Sequence, residues 1–161
     1  MASPPDDSAT ITVWRIAHAR YAEEAFSGEG ARQHGGRFNS PGVPMVYTAG
    51  SRALATLELL VRLNHRRRMA PYVWRSATFP SSLLLIPDLL PPGWDALPYG
   101  PSSQQWGDAW IGDQRSLVLQ VPSVVEPAEA NYLINPKHPA IDKLKVGPAS
   151  PVELDPRLRR G

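Results

Sequence analysis

An α+β fold, a single compact domain with a mixed and mostly antiparallel sheet core, is predicted from three observations. Segments with strand character outnumber those with helical periodicity, they follow one another in irregular order instead of strict βαβ alternation, and no internal repeat divides the chain. At 161 residues the chain can bury one core and needs no second. Residues 1–10 are expected to form a flexible N-terminus, 11–146 the folded domain and 147–161 a C-terminal tail.

The elements follow in order. Residues 11–16 hold the β-branched and aromatic side chains of a first strand, and a polar, glycine-rich stretch at 27–42 reads as a loop. Residues 45–48 make a short buried strand. Gly50 and Ser51 turn the chain, and Ser51 caps a helix running from Ala53 to about Leu63 with leucines at three- and four-residue spacings. Arg62, His65 and the run Arg66, Arg67, Arg68 close that helix, where cations complement its dipole. Residues 72–79 and 83–86 read as two strands of a hairpin turning at Pro80, Ser81 and Ser82. The stretch 87–101 is proline-rich loop, 103–111 a short helix with Trp106 and Trp110 one turn apart, and 116–121 a strand with Leu117, Leu119 and Val121 on one side. "NYLINPKHP" at 131–139 is turn-rich, and the residues beyond 147 lack periodicity.

Hydrophobic residues at 42% and charged residues at 20% are ordinary globular usage. Seventeen basic against fifteen acidic residues leave a charge of +2, too little to imply nucleic acid binding through bulk electrostatics. Without cysteine the chain has no disulfide framework and no thiolate metal site. The first ten residues carry no basic-then-apolar signal and no apolar run approaches the length of a membrane span, so a cytoplasmic protein is expected. The histidines at 18, 34, 65 and 138 show no metal-ligand spacing, and no metal is expected.

Five polar residues need explaining. Glu58 shares a helical face with Leu54, Leu57 and Val61, where an ionised carboxylate costs free energy unless it is paired or lines a cavity. Its pairing with Arg37 or Arg15 is the structural explanation, and a reactive site is the functional one. Tyr47 ends a strand just before a turn, a place that suits either core packing or a ligand pocket. Arg37 follows Gly35 and Gly36, a triplet that is either a plain turn or a backbone nest for an anion. Arg15 beside Trp14 is either solvated or a second guanidinium for a pyrophosphate. Ser123, in "VPSV", is either a turn cap or a hydrogen-bond donor facing Glu58, and it lacks the G-x-S-x-G setting of a serine nucleophile.

Taken in order, "WR" at 14–15, "GGRFNSPG" at 35–42, "VYTAGSRALATLELL" at 46–60, "GDAW" at 107–110, "VPSV" at 121–124 and "NYLINPKHP" at 131–139 resemble the RES-domain family over about residues 14–142. The resemblance implies a fold similar to ADP-ribosyltransferases and a toxin of a bacterial toxin–antitoxin system with NAD as substrate. Its arginine, glutamate and serine fall on Arg37, Glu58 and Ser123 as the catalytic set, and Arg15 and Tyr47 join them in binding NAD. Phe38 stands where the family often has tryptophan.

The implied chemistry is cleavage of the nicotinamide–ribose bond, in which positive charge develops on the sugar and an anion beside it lowers the barrier. Glu58 would supply the anion, the arginines would hold the pyrophosphate, Tyr47 would stack on the nicotinamide or its ribose, and Ser123 would orient the nicotinamide end. The acceptor is water, phosphate or a protein side chain, giving NAD glycohydrolase, phosphorylase or mono-ADP-ribosyltransferase activity on a specific host protein. The expected partner is a helix-turn-helix antitoxin of the Xre type. An RNA-directed toxin using His18, His34 and the basic run is a second function class, and a non-catalytic interaction domain with Glu58 in a salt bridge is a third.

Overall fold

The computed structural model describes residues 9–64 and 70–159. The expectations for residues 1–8 and for His65 and the Arg66–Arg68 run lie outside the described residues. Among the described residues no helix is long and apolar enough to cross a membrane.

An eight-stranded sheet organises the chain. β1 (Thr10–His18) pairs antiparallel along its whole length with β3 (Tyr72–Pro80), from Thr10↔Pro80 to His18↔Tyr72. β2 (Val46–Ala49) pairs antiparallel with β6 (Ala130–Ile134), and β6 pairs with β5 (Val118–Pro122). β4 (Leu84–Leu85) runs parallel to β5, while β7 (Lys145–Val146) and β8 (Ser150–Pro151) both add to β3. The order β4-β5-β6-β2-β1-β3-β7 therefore consists of two halves, and β1 meets β2 through one register pair, Trp14↔Ala49. The sheet divides at that point, which positions the site described below.

Strand alternation separates the two faces. On one face Val13, Val46, Ala77, Phe79, Val118 and Ile134 are buried together. The other face carries the two longer helices. α2 (Arg52–Leu60) lays Leu54 and Ala55 against Ala49 and Trp74, with Ser51 Oγ accepting from the Leu54 amide at 3.1 Å as its N-cap. α3 (Pro101–Asp113) packs Trp110 and Ile111 on Leu119, Val121 and Leu133. Trp110 also donates its indole N–H to Ser116 Oγ at 2.9 Å, which satisfies its one polar atom in the core.

The structure departs from the sequence expectation in four places. Residues 27–42 are not all loop, since α1 (Glu29–His34) forms there. Residues 72–80 and 84–85 are not a hairpin: Ser81–Leu83 form a 3₁₀ turn that carries the chain to β5, because β3 already has β1 on one edge and β7 and β8 on the other. Ala130–Ile134 is a paired strand, not a run of turns. The face of α2 that carries Glu58 is only partly covered, because Leu57 is 42% and Val61 63% exposed. A carboxylate there meets solvent more than a fully apolar face would allow.

Candidate active site

Glu58 sits two turns into α2, on the flank that faces the ends of β5 and β6. Its Oε1 accepts two hydrogen bonds, from Ser123 Oγ at 2.7 Å and from Asn131 Nδ2 at 2.8 Å. Oε2 accepts none among the described residues. The expected ion pair with Arg15 or Arg37 is absent, since the ion pairs among the described residues join Arg32 to Glu29, Arg115 to Asp113 and Arg157 to Asp155. Neutral donors hold this carboxylate, and no cation among the described residues pairs with it.

Ser123 is wholly buried just past the end of β5. Its hydroxyl accepts from the amides of Val125 and Glu126 at 3.1 Å each and spends its single proton on Glu58. The residue is thus both a turn cap and a support for the carboxylate. Asn131 starts the inward face of β6, in register with Ala49 and Val121. Its Oδ1 is buried and has no partner.

Arg15 and Tyr47 meet across the division of the sheet. Arg15 Nη1 donates to the Tyr47 carbonyl at 2.9 Å, and Arg15 Nε is buried without a partner. Burial, reinforced by the nearby charge of Arg62, pushes the Arg15 guanidinium down to about 10. Arg62 itself donates from Nε to the Glu58 carbonyl at 3.1 Å, across the last turn of α2.

Arg37 lies in the loop after α1, and Tyr47 fixes that loop. The Tyr47 hydroxyl donates to Asn39 Oδ1 at 2.6 Å and accepts from the Phe38 amide at 3.0 Å, and burial raises its pKa well above the ordinary phenol range. A Cβ on Gly36 would stand 2.6 Å from that hydroxyl, so only glycine lets the loop close on it. Gln104 Nε2, from α3, donates to the carbonyls of Gly36 and Asn39 at 3.1 Å each. The Arg37 guanidinium is aimed by the proline-rich loop, with Nη1 donating to the carbonyls of Trp94 and Ala96 at 2.8 Å each and the Tyr99 ring 5.6 Å away. Phe38 is buried with its ring centroid 5.8 Å from that of Trp106.

The five residues singled out in the sequence therefore fall into two connected groups: Glu58 directly bonded to Ser123, and Arg15 joined to Tyr47, which holds the Arg37 loop. Asn131, Asn39 and Gln104 were missed. Asparagine and glutamine in turn-like surroundings read as solvated, and only the alternation of Asn131 with the buried Leu133 points inward. His18 and His138 serve turns, accepting from the amides of Arg20 and Ala140. Among the described residues no three histidine, aspartate or glutamate side chains gather as metal ligands.

The RES domain model matches residues 12–155. A Sphingobium sp. protein named Prs ADP-ribosylating toxin is 42% identical over 158 residues, covering 94% of this chain and 98% of its own length. Proteins named Toxin Res from Yersinia enterocolitica and Photorhabdus laumondii subsp. laumondii are 33% and 34% identical, covering 92% and 78% of this chain and 100% and 82% of theirs. A chain from the crystal structure of the M. tuberculosis MbcT-MbcA toxin-antitoxin complex superposes with a TM-score of 0.69 at 22% identity, over 94% of this chain and 88% of that one. That likeness is one of fold.

Proposed function

Because the chain belongs to the RES domain family, we propose that it is a toxin that breaks the nicotinamide–ribose bond of NAD and passes the ADP-ribose to an acceptor. The observation that carries this reading is the Glu58 carboxylate, held by two neutral donors on Oε1, with Oε2 unclaimed and no cation paired to it among the described residues. An oxocarbenium-like sugar develops positive charge as nicotinamide departs, and a fixed, unneutralised anion stabilises it. Nicotinamide leaves as a neutral molecule, so the departure needs no general acid.

The remaining residues take roles that their surroundings support. Arg15, with an unused Nε, and Arg37, aimed by two carbonyls, suit the two phosphates of NAD. Tyr47 acts in this scheme by anchoring the loop of Arg37 and offers its ring, not its occupied hydroxyl, to the substrate. Ser123 acts through Glu58, since its proton is committed there.

Among acceptors a protein side chain has the best support, because the 42% identical relative carries the name ADP-ribosylating toxin. Hydrolysis or phosphorolysis of free NAD would instead deplete the pool. A helix-turn-helix antitoxin encoded as partner belongs to the same proposal, supported by the toxin–antitoxin complex that shares the fold. The RNA-directed reading has no comparable support, with His18 committed to a turn and the basic run outside the described residues.

The test is release of nicotinamide from NAD carrying labelled adenylate, in lysate and in buffer. The wild-type protein should release nicotinamide and leave label on a discrete protein band. Glu58→Gln should lower the rate by about 10²–10³-fold, the loss expected for removing one preorganised electrostatic group. Full activity in a folded Glu58→Gln variant would rule the carboxylate out.

A further inference from the structure

We propose that Asn131 is a positioning residue for the reaction, acting through Glu58 by fixing the rotation of its carboxylate so that Oε2 stays free for substrate. This rests on the reading of Glu58 given above.

Three observations carry it. First, Ser123 and Asn131 approach the same oxygen, Oε1, from the end of β5 and the start of β6, at 2.7 and 2.8 Å. Two donors from different strands define a plane, and one alone would leave the carboxylate free to swing about its contact. Second, Glu58 needs such a hold, because its helix face confines it on one side only: Leu54 one turn before it is buried, whereas Leu57 and Val61 are exposed. An unrestrained glutamate at a half-buried helix position still samples several rotamers, and each turnover would have to order it again.

Third, the Asn131 amide is used at one end only. Its Oδ1 is buried with no partner. An asparagine retained to tie the fold together would satisfy both ends, whereas here the single side-chain bond goes to the carboxylate. Turning the amide over would place Oδ1 against Glu58 Oε1, oxygen against oxygen, so Glu58 itself dictates the orientation. The backbone sets the rest. Asn131 pairs with Ala49, and Ala49 with Trp14, so Asn131 lies in the row of Trp14 at the division of the sheet.

A double-mutant cycle on the full chain tests the proposal, reading nicotinamide release from NAD under single-turnover conditions, with KM and the thermal unfolding midpoint measured beside it. Asn131→Ala should lower kcat by about ten- to a hundredfold, the rate equivalent of one hydrogen bond to a charged group, with KM changed by no more than about twofold. The isosteric Asn131→Asp, which keeps the volume and replaces the donor by an acceptor, should lose at least as much, which guards against an effect of the cavity alone. In the Glu58→Gln background Asn131→Ala should change the residual rate by less than about twofold, because there is no charge left to position.

The same loss in both backgrounds would overturn the proposal by showing an action independent of Glu58. A raised KM with unchanged kcat would overturn it too, by placing Asn131 in substrate binding, and so would wild-type kcat in a variant of lowered stability. If the wild-type protein itself releases no nicotinamide, the reading of the site falls and this role falls with it. That outcome is distinct from an active wild type with additive variants, which removes only the role of Asn131.

Discussion

Arg15 and Glu58 carry opposite charges and do not pair, and each is held instead by neutral groups. That arrangement costs stability. Arg15 keeps its charge with Nε unpartnered and one hydrogen bond to a carbonyl, a poor exchange for water. Arg15→Met, which fills similar space with an apolar chain, should leave the unfolding free energy within about 1 kcal/mol of the wild type or raise it, while NAD turnover collapses. Chemical denaturation with parallel NAD kinetics checks this, and a loss of several kcal/mol with turnover intact would make Arg15 structural. Glu58 was legible in the sequence for the same reason that it is costly: a charge among leucines conflicts with its surroundings. Asn131 was not, because an asparagine ahead of Asn135 and Pro136 reads as turn former, and its inward direction depends on pairing with β2 and β5 that no local pattern reveals. Ser123 lay between these cases, since both its readings, cap and donor, turned out to describe the same hydroxyl.

At the scale of elements, the site depends on α3 lying close to the loop after α1. Gly107 makes the approach possible, for a Cβ there would fall 1.8 Å from the Phe38 carbonyl oxygen, which is rigid backbone. Gly107→Ala should therefore force the helix and the loop apart and cost at least about 1–3 kcal/mol, with NAD turnover falling because Arg37 is displaced. Equilibrium unfolding and kinetics measure both, and unchanged values would mean that the loop can shift without consequence. Long, periodic elements such as β1, β3 and the core of α2 were readable because their side-chain spacing carries the signal. The missed hairpin had a different cause. Pro80, Ser81 and Ser82 do turn the chain, but whether the next strand returns to β3 is decided by which edge is vacant, and Val146 and Ser150 already occupy it. α1 was hidden by its two flanking glycine turns and its shortness.

For the molecule as a whole, the two halves of the sheet touch at Trp14↔Ala49 and diverge on either side, and the functional side chains come from both halves and from the helices that cover one face. Arg15 belongs to the β1–β3 half, Tyr47, Ser123 and Asn131 to the other, and Glu58 to the helix that bridges them. A site so assembled exists only in the complete fold, which accounts for its residues being scattered over more than a hundred positions of sequence. On the proposed function, Glu58 Oε2, left free by Ser123 and Asn131, would face the nicotinamide ribose. The most direct measurement is a crystal structure of the Glu58→Gln variant with NAD bound. The residue 58 side chain should then lie at hydrogen-bond distance, about 3 Å, from a hydroxyl of the nicotinamide ribose, with Arg15 and Arg37 on the phosphates. A dinucleotide bound elsewhere, or residue 58 turned away against an arginine, would contradict it.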